Sequence, residues 1–418
     1  MVKYQWLLLA AYLAVQGIEY WLKGLNLNHL KKYGEEVPPE FKGHLDEPLL
    51  KKTVAYTIET SRFASIESLF GSITVVVFIF GGPLKWYSGV VSSFGVPFIV
   101  KGLIFFFLLS VVQTLLSVPF SLYHTFRIEN KYGFNTMTWR LWAVDFLKSL
   151  GLSALIMGLL TAGGLWIVRS SPEYWWVFVW AFSFVVSVFL MYLSPYVIEP
   201  LFNKFTPIEG DDLDRDIRTI MERAGIHVSR VFSMDASRRS RHTNAYFSGI
   251  GRVKRIVLFD TLIRMMEKSE ILAVLAHEAG HWKKKHVLKT IALFEVLSLA
   301  GIYAAFRIIG TGWLARLFSL EGDSFFAQLI LLAFVSGIFA FPLTPLFSGL
   351  SRRHEDEADR FASELTGSPE GLATALIKLS KDNLSNLHPH PLYARFYYSH
   401  PPVVERIRRM REGFVTRA

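Results

Sequence analysis

His277 and His281 stand four residues apart in "LAHEAGHWKKKH" (275–286), and Glu278 follows the first of them directly. On a helix, residues four apart lie one turn apart on the same face, so both imidazoles can point at one ion. Glu278 is offset enough to reach a water instead of the ion. Two ligands and a base on one rigid element is what metal-assisted hydrolysis requires: a cation to polarise a carbonyl and acidify water, and a carboxylate to take the proton. A surface helix with two solvated histidines is the competing reading of so short a pattern.

A catalytic metal of this kind takes a third protein ligand and keeps a fourth position open. The chain has no cysteine, so the third must be a histidine or a carboxylate. The stretch "SRRHEDEADRFASELTG" (351–367) offers His354, Glu355, Asp356, Glu357 and Asp359. Residue type alone does not choose among them, and a solvated acidic helix face with i,i+4 ion pairs explains the same residues.

The elements that must position these groups are mostly membrane spans. Of 418 residues, 51% are hydrophobic and only 19% charged, against about 25% charged in soluble domains. Seven apolar stretches approach the ~20 residues that a crossing helix needs: 4–22, 64–82, 98–120, 146–168, 174–196, 288–310 and 325–348. The first could be a cleaved signal peptide. Against that, the run is long, lacks a small-x-small cleavage site and ends in "IEYWLKG". Glu67, Lys101, Gln113, Glu295 and Arg307 fall within these stretches and favour a wet interior over lipid.

Basic residues crowd the first connection (Lys23, Lys31, Lys32, Lys42, Lys51, Lys52, Arg62) and the third (Arg127, Lys131, Arg140). By the positive-inside rule these are cytoplasmic and the N-terminus is outside. Both long polar regions, 197–287 and 349–418, then share the cytoplasmic side and can meet. The net charge of +10 is accounted for by this flanking pattern, and no aromatic-interleaved basic patch points to nucleic acid. Trp282, Lys283, Lys284 and Lys285 precede the sixth stretch, which sets the histidine pair at the interface and not inside a span.

"NAYFSGIGRVKRIVLFD" (244–260) reads as two short strands around a glycine-containing turn, and an edge strand beside a metal site can hold an extended peptide by strand addition. "FRIENKYGFN" (126–135), Asp145, "EPLFNKFTPI" (199–208), "SRRSRHTNAYFSGIG" (237–251), "VLFDTLI" (257–263), "HEAGHW", "SRRHEDEADRFA" and "YYSHPPVVERI" (397–407) follow one another in an order that resembles the type 1 CAAX prenyl protease family, integral-membrane zinc metalloproteases of the gluzincin class.

That resemblance implies a mainly α fold. Seven transmembrane helices surround a hydrated chamber, with a cytoplasmic zincin-like catalytic domain that contains a small β-hairpin or sheet. It implies one catalytic Zn2+ held by His277, His281 and Glu355, with Glu278 as the base and Asp359 orienting a ligand histidine. His354 becomes a neighbour of the site. His400, Asn244 and Tyr246 are expected to hold the substrate backbone or the oxyanion, while His242 and His286 support the cleft. The expected division is 1–196 (spans one to five), 197–287 (catalytic region), 288–348 (spans six and seven) and 349–418 (the rest of the catalytic domain).

The implied activity is endoproteolysis of a peptide or protein partner, a prenylated C-terminal CAAX peptide in eukaryotic relatives. The membrane would be endoplasmic reticulum in a eukaryote or the inner membrane in a bacterium. A quality-control protease with non-prenylated substrates, a transporter with an incidental HExxH, and a catalytically dead scaffold are the alternatives. No inverted repeat or pair of broken spans supports the transporter, and the intact Glu278 disfavours the scaffold.

Overall fold

A computed structural model describes residues 2–248, 253–320, 322 and 324–415. Six helical runs are long and apolar enough to cross a membrane: Glu47–Phe80, Phe98–Tyr132, Trp139–Ser170, Trp175–Phe202, His286–Gly310 and Phe325–Thr366. The expected first span is a continuous helix, Val2–Tyr33, but it is less apolar than these six. Gln5, Gln16 and Glu19 interrupt its greasy run. Two of them serve lateral packing: Gln16 Oε1 accepts from Ser72 Oγ at 2.6 Å, and Gln5 donates to the Leu317 carbonyl.

At most 6% of the most apolar window of any of the six runs is buried within the protein. A close-packed bundle would bury a stripe of each helix. In these windows the spans bury little against one another, while Ile79, Phe105, Leu165, Phe326 and Leu331 join Leu84 and Leu314 in one buried cluster. Gln113 and Ser110 line a cavity of about 530 Å3 between spans. Lys101 bonds the Ser92 carbonyl at 2.7 Å, and Arg307 donates to the Tyr303 hydroxyl at 3.0 Å.

The water-facing part is built on a four-stranded sheet in the order β1 (Phe205–Ile208), β2 (His227–Met234), β4 (Val253–Phe259), β3 (Ala245–Ser248). β3 and β4 pair antiparallel, as their sequence suggests, while β2 and β4 run parallel. The turn between β3 and β4 lies outside the described residues. One sheet face buries Val231, Ile256, Leu258 and Ala245 against the HExxH helix, Lys268–Lys283. That helix is capped by Glu267 and Glu270 in a reciprocal capping box. Phe41 and Leu50, from the first connection, are also sealed in this core. The "EEVPPEFKG" segment, irregular in sequence, is therefore a docking strap, with Phe41 fully buried.

Both helices that carry the candidate ligands are extensions of spans. Only Lys284 and Lys285, the latter at φ 58°, separate the HExxH helix from the span His286–Gly310. The last run, Phe325–Thr366, has 42 residues, and at 1.5 Å per residue reaches roughly 60 Å, about twice the hydrocarbon thickness. Its second half, the helix Thr344–Thr366, carries the acidic cluster into the catalytic core.

The two helices meet at Gly280 and Ala358. A Cβ on Gly280 would lie 3.0 Å from the Ala358 Cα and 3.2 Å from its carbonyl oxygen. The bare glycine lets the backbones approach closely enough for side chains on both to share one point.

Candidate active site

His277, His281 and Glu355 converge where these helices cross. His277 Nε2 lies 3.2 Å from His281 Nε2 and 3.4 Å from Glu355 Oε2, and His281 Nε2 lies 3.2 Å from Glu355 Oε1. A tetrahedral cation with arms of about 2.0–2.1 Å places its ligands about 3.3 Å apart. The Glu355 Oε2 atom is buried with no hydrogen-bond donor, which a cation would remedy. Burial alone would lower the His277 imidazole, but the Asp359 and Glu355 carboxylates outweigh it and push it up to about 9. The same carboxylate field favours any cation placed between these groups. On all three counts the residues fit a metal.

Both histidines are oriented from behind. His277 Nδ1 faces Asp359 Oδ1 at 2.8 Å. His281 turns Nδ1 to His286 Nδ1 at 3.1 Å, and His286 Nε2 lies 3.1 Å from Glu357 Oε2. Since Glu357 can only accept, His286 Nε2 donates and its Nδ1 accepts from His281, leaving the His281 Nε2 lone pair free for a metal. His354 stacks on His286, with centroids 4.1 Å apart, and stands outside the metal group. Glu278 is half-buried and no hydrogen bond holds its carboxylate among the described residues; desolvation raises its pKa above the ordinary value.

His400 Nε2 stands 3.3 Å from Glu355 Oε1, and its Nδ1 accepts from Ser399 Oγ at 2.9 Å. Ser399 thus fixes the imidazole just before the last helix, which begins at Val403. Desolvation by the surrounding cleft lowers the pKa of the largely exposed His400 ring, against the opposing pull of Glu355.

β3 is paired only with β4 among the described residues, so its outer edge is free. The Asn244 carbonyl accepts from Phe259 N at 3.1 Å, and its side chain accepts from Ala245 N at 2.8 Å. Tyr246 turns to the opposite sheet face, where its hydroxyl donates to Glu199 at 2.8 Å. Any substrate contact there falls to its backbone.

Sequence reasoning missed Arg406. It is buried and grips Asp359 through two bonds of 2.6 and 2.9 Å, with Glu355 Oε2 3.5 Å away. Its signal was one cation among Val403, Val404 and Ile407 on the inward face of the last helix.

His242 lies away from this cluster. It stacks on Phe134 at 4.1 Å and bridges Glu129 Oε2 at 3.0 Å to Asn383 Oδ1 at 2.8 Å, tying the "FRIENKYGFN" segment to the C-terminal part. Its pairing with Glu129 is the largest cause of a raised pKa. A raised folded pKa means that the protonated ring favours the fold. That stabilisation is complete below roughly pH 6.5, the unfolded value, and fades as pH rises through the folded one. The melting temperature of His242→Gln should therefore trail wild type more at pH 6 than at about pH 9; an equal gap at both would exclude a charged clamp.

Such a centre, assembled where two spans leave the bilayer, defines an integral-membrane metalloendopeptidase. Residues 26–204 match the family described as CAAX prenyl protease N-terminal, five membrane helices, and residues 207–413 match Peptidase family M48. The chain is 35% identical to CAAX prenyl protease 1 of Saccharomyces cerevisiae, over 89% of this chain and 88% of that one. It is 31% identical to an uncharacterized metalloprotease, YhfN, of Bacillus subtilis, covering 95% of each. The crystal structure of S. mikatae Ste24p superposes with a TM-score of 0.89 at 31% identity, covering 98% of this chain and 99% of that one. The chain belongs to the type 1 CAAX prenyl protease family of M48 peptidases.

Proposed function

We infer that the metal is one zinc ion held by His277, His281 and Glu355, and that the protein cleaves the C-terminal tripeptide from prenylated CAAX substrates. The observation that carries this reading is the trio of candidate ligand atoms 3.2–3.4 Å apart, with Glu355 Oε2 among them buried and lacking a hydrogen-bond donor among the described residues. Zinc supplies Lewis acidity toward the scissile carbonyl and lowers the pKa of water to about 7. The substrate lies extended along the free edge of β3, main chain to main chain, with Asn244 at its head. Glu278 takes the proton of the attacking water and delivers it to the departing amine. His400 donates Nε2–H to the carbonyl oxygen as charge builds there. Asp359 and His286 keep the two ligand histidines in register, and Arg406 keeps Asp359 in place.

The crowding of basic residues in the first and third connections supports a cytoplasmic catalytic face, with the N-terminus outside. The little that the spans bury against one another in their most apolar windows supports a hydrated chamber in the membrane. The boundaries 1–196, 197–287, 288–348 and 349–418 remain our working division.

Two experiments test this reading. Purified protein given a farnesylated CAAX peptide should release the tripeptide much faster than from the unprenylated peptide. Equal rates would favour the non-prenylated, quality-control reading. In metal analysis, Glu355→Ala should lose most of its zinc while His354→Ala keeps it. Equal losses would refute the ligand assignment.

A further inference from the structure

A pocket of about 710 Å3 lies between two span ends, on the sheet face turned away from the peptidase core. Lys148, near the start of Trp139–Ser170, forms one wall, and Pro195, Tyr196 and Leu201, at the exit of Trp175–Phe202, form another. Phe205, Phe232 and Arg255 make the floor. Five cations line it (Lys148, Lys204, Arg230, Arg238 and Arg255), and no carboxylate does among the described residues. The nearby acids are committed elsewhere. Asp145 is gripped by Arg239, Glu199 accepts from Tyr246, and Asp235 accepts from the Lys204 backbone.

This concentration of one sign is costly. Arg230 and Arg255 are register partners on the parallel strands β2 and β4, so both project from the same face. Like charges in that relation repel. Arg255 is packed over the rings of Phe232 at 4.4 Å and Phe205 at 4.9 Å, and its Nη1 donates to the Pro195 carbonyl. Its Nε is nonetheless buried with no acceptor. Arg230, Arg238 and Lys204 are exposed at the mouth. An anion seated among them would relieve the repulsion.

The rim defines what carries that anion. Tyr196, Val197 and Leu201, at the end of the span, are 57%, 47% and 45% exposed, a strip of apolar surface at the level of the bilayer boundary. A cationic pocket continuous with such a strip fits an amphiphile. We propose that it binds the phosphate headgroup of an anionic phospholipid whose acyl chains lie along Tyr196 and Leu201. The site requires the multi-pass topology, and it is independent of the metal chemistry. A soluble phosphate ion shares the headgroup chemistry but not the chains.

Native mass spectrometry of the full-length protein in detergent micelles separates these sources. Wild type should retain phosphatidylglycerol and not phosphatidylcholine, and equimolar inorganic phosphate should not displace the lipid. Taking about fivefold per basic residue near an anionic surface, Arg230→Gln/Arg238→Gln should weaken retention by roughly 25-fold, and Lys204→Gln alone by about fivefold. Soluble-peptide cleavage in lipid-free micelles should stay at the wild-type rate in these variants, which reports their folding. Should the double variant misfold, Lys204→Gln alone decides the matter. Equal retention of phosphatidylcholine, unchanged retention in the variants, or displacement by equimolar phosphate would each overturn the proposal.

Discussion

Glu278→Gln should purify with its metal intact and cleave peptide about 10²- to 10⁴-fold more slowly than wild type, the usual contribution of a positioned general base. The separation of the two effects follows from the geometry. Glu278 is adjacent in sequence to His277, but no hydrogen bond ties it to a ligand, whereas each ligand histidine has its own orienting partner. Glutamine has nearly the same shape and leaves those partners in place, but it cannot take a proton from water. Single-turnover cleavage together with metal analysis of the same sample checks both halves. A variant that cleaves at the wild-type rate removes the general base from the mechanism, and one that loses its metal shows that Glu278 acts structurally.

Arg406→Met should destabilise the catalytic domain by about 3–5 kcal/mol, the scale seen when one partner of a buried ion pair is deleted. Arg406 and Asp359 are both sealed from water, and their pairing is bidentate. Deleting the guanidinium leaves two buried carboxylates, Asp359 and Glu355, with less positive charge to offset them. Asp359→Asn should recover part of the loss in the double variant, because the residual penalty lies in the uncompensated charge. Thermal melts of wild type, the single variants and the double variant measure the coupling; strict additivity would mean that the pair is not coupled.

What the sequence disclosed depended on how local each signal was. The spans were legible because twenty apolar residues need no partner to be recognised. The first stretch was read the same way and is a helix, but Gln5, Gln16 and Glu19 leave it less apolar than the other six, and the two glutamines find their partners only in the folded bundle. The pair His277 and His281 was legible because helical periodicity alone brings them together. The third ligand was not, since five acidic or imidazole groups at 354–359 are chemically equivalent until a crossing helix selects the face that carries Glu355. Residue-type reasoning left that choice open, and only family resemblance narrowed it. The hairpin of β3 and β4 is a local pattern, but the parallel pairing of β2 with β4 joins segments separated by β3 itself. Arg406 escaped for the same reason as Glu355: its partners lie on another helix.

The meeting of Gly280 with Ala358 alters what the motif itself means. A pattern search for HExxH treats positions 279 and 280 as blanks, free to hold any letter. In this chain the second blank is spelled. A side chain there would have to occupy space within 3.0 Å of the Ala358 Cα, and the helix bearing Glu355 would have to retreat. A sequence that kept both histidines, the glutamate and the distant Glu355, but wrote leucine at 280, would satisfy the pattern and yet push Glu355 away from the histidine pair. For this architecture the functional word is HExGH, and its last informative letter before the histidine is the one with no side chain.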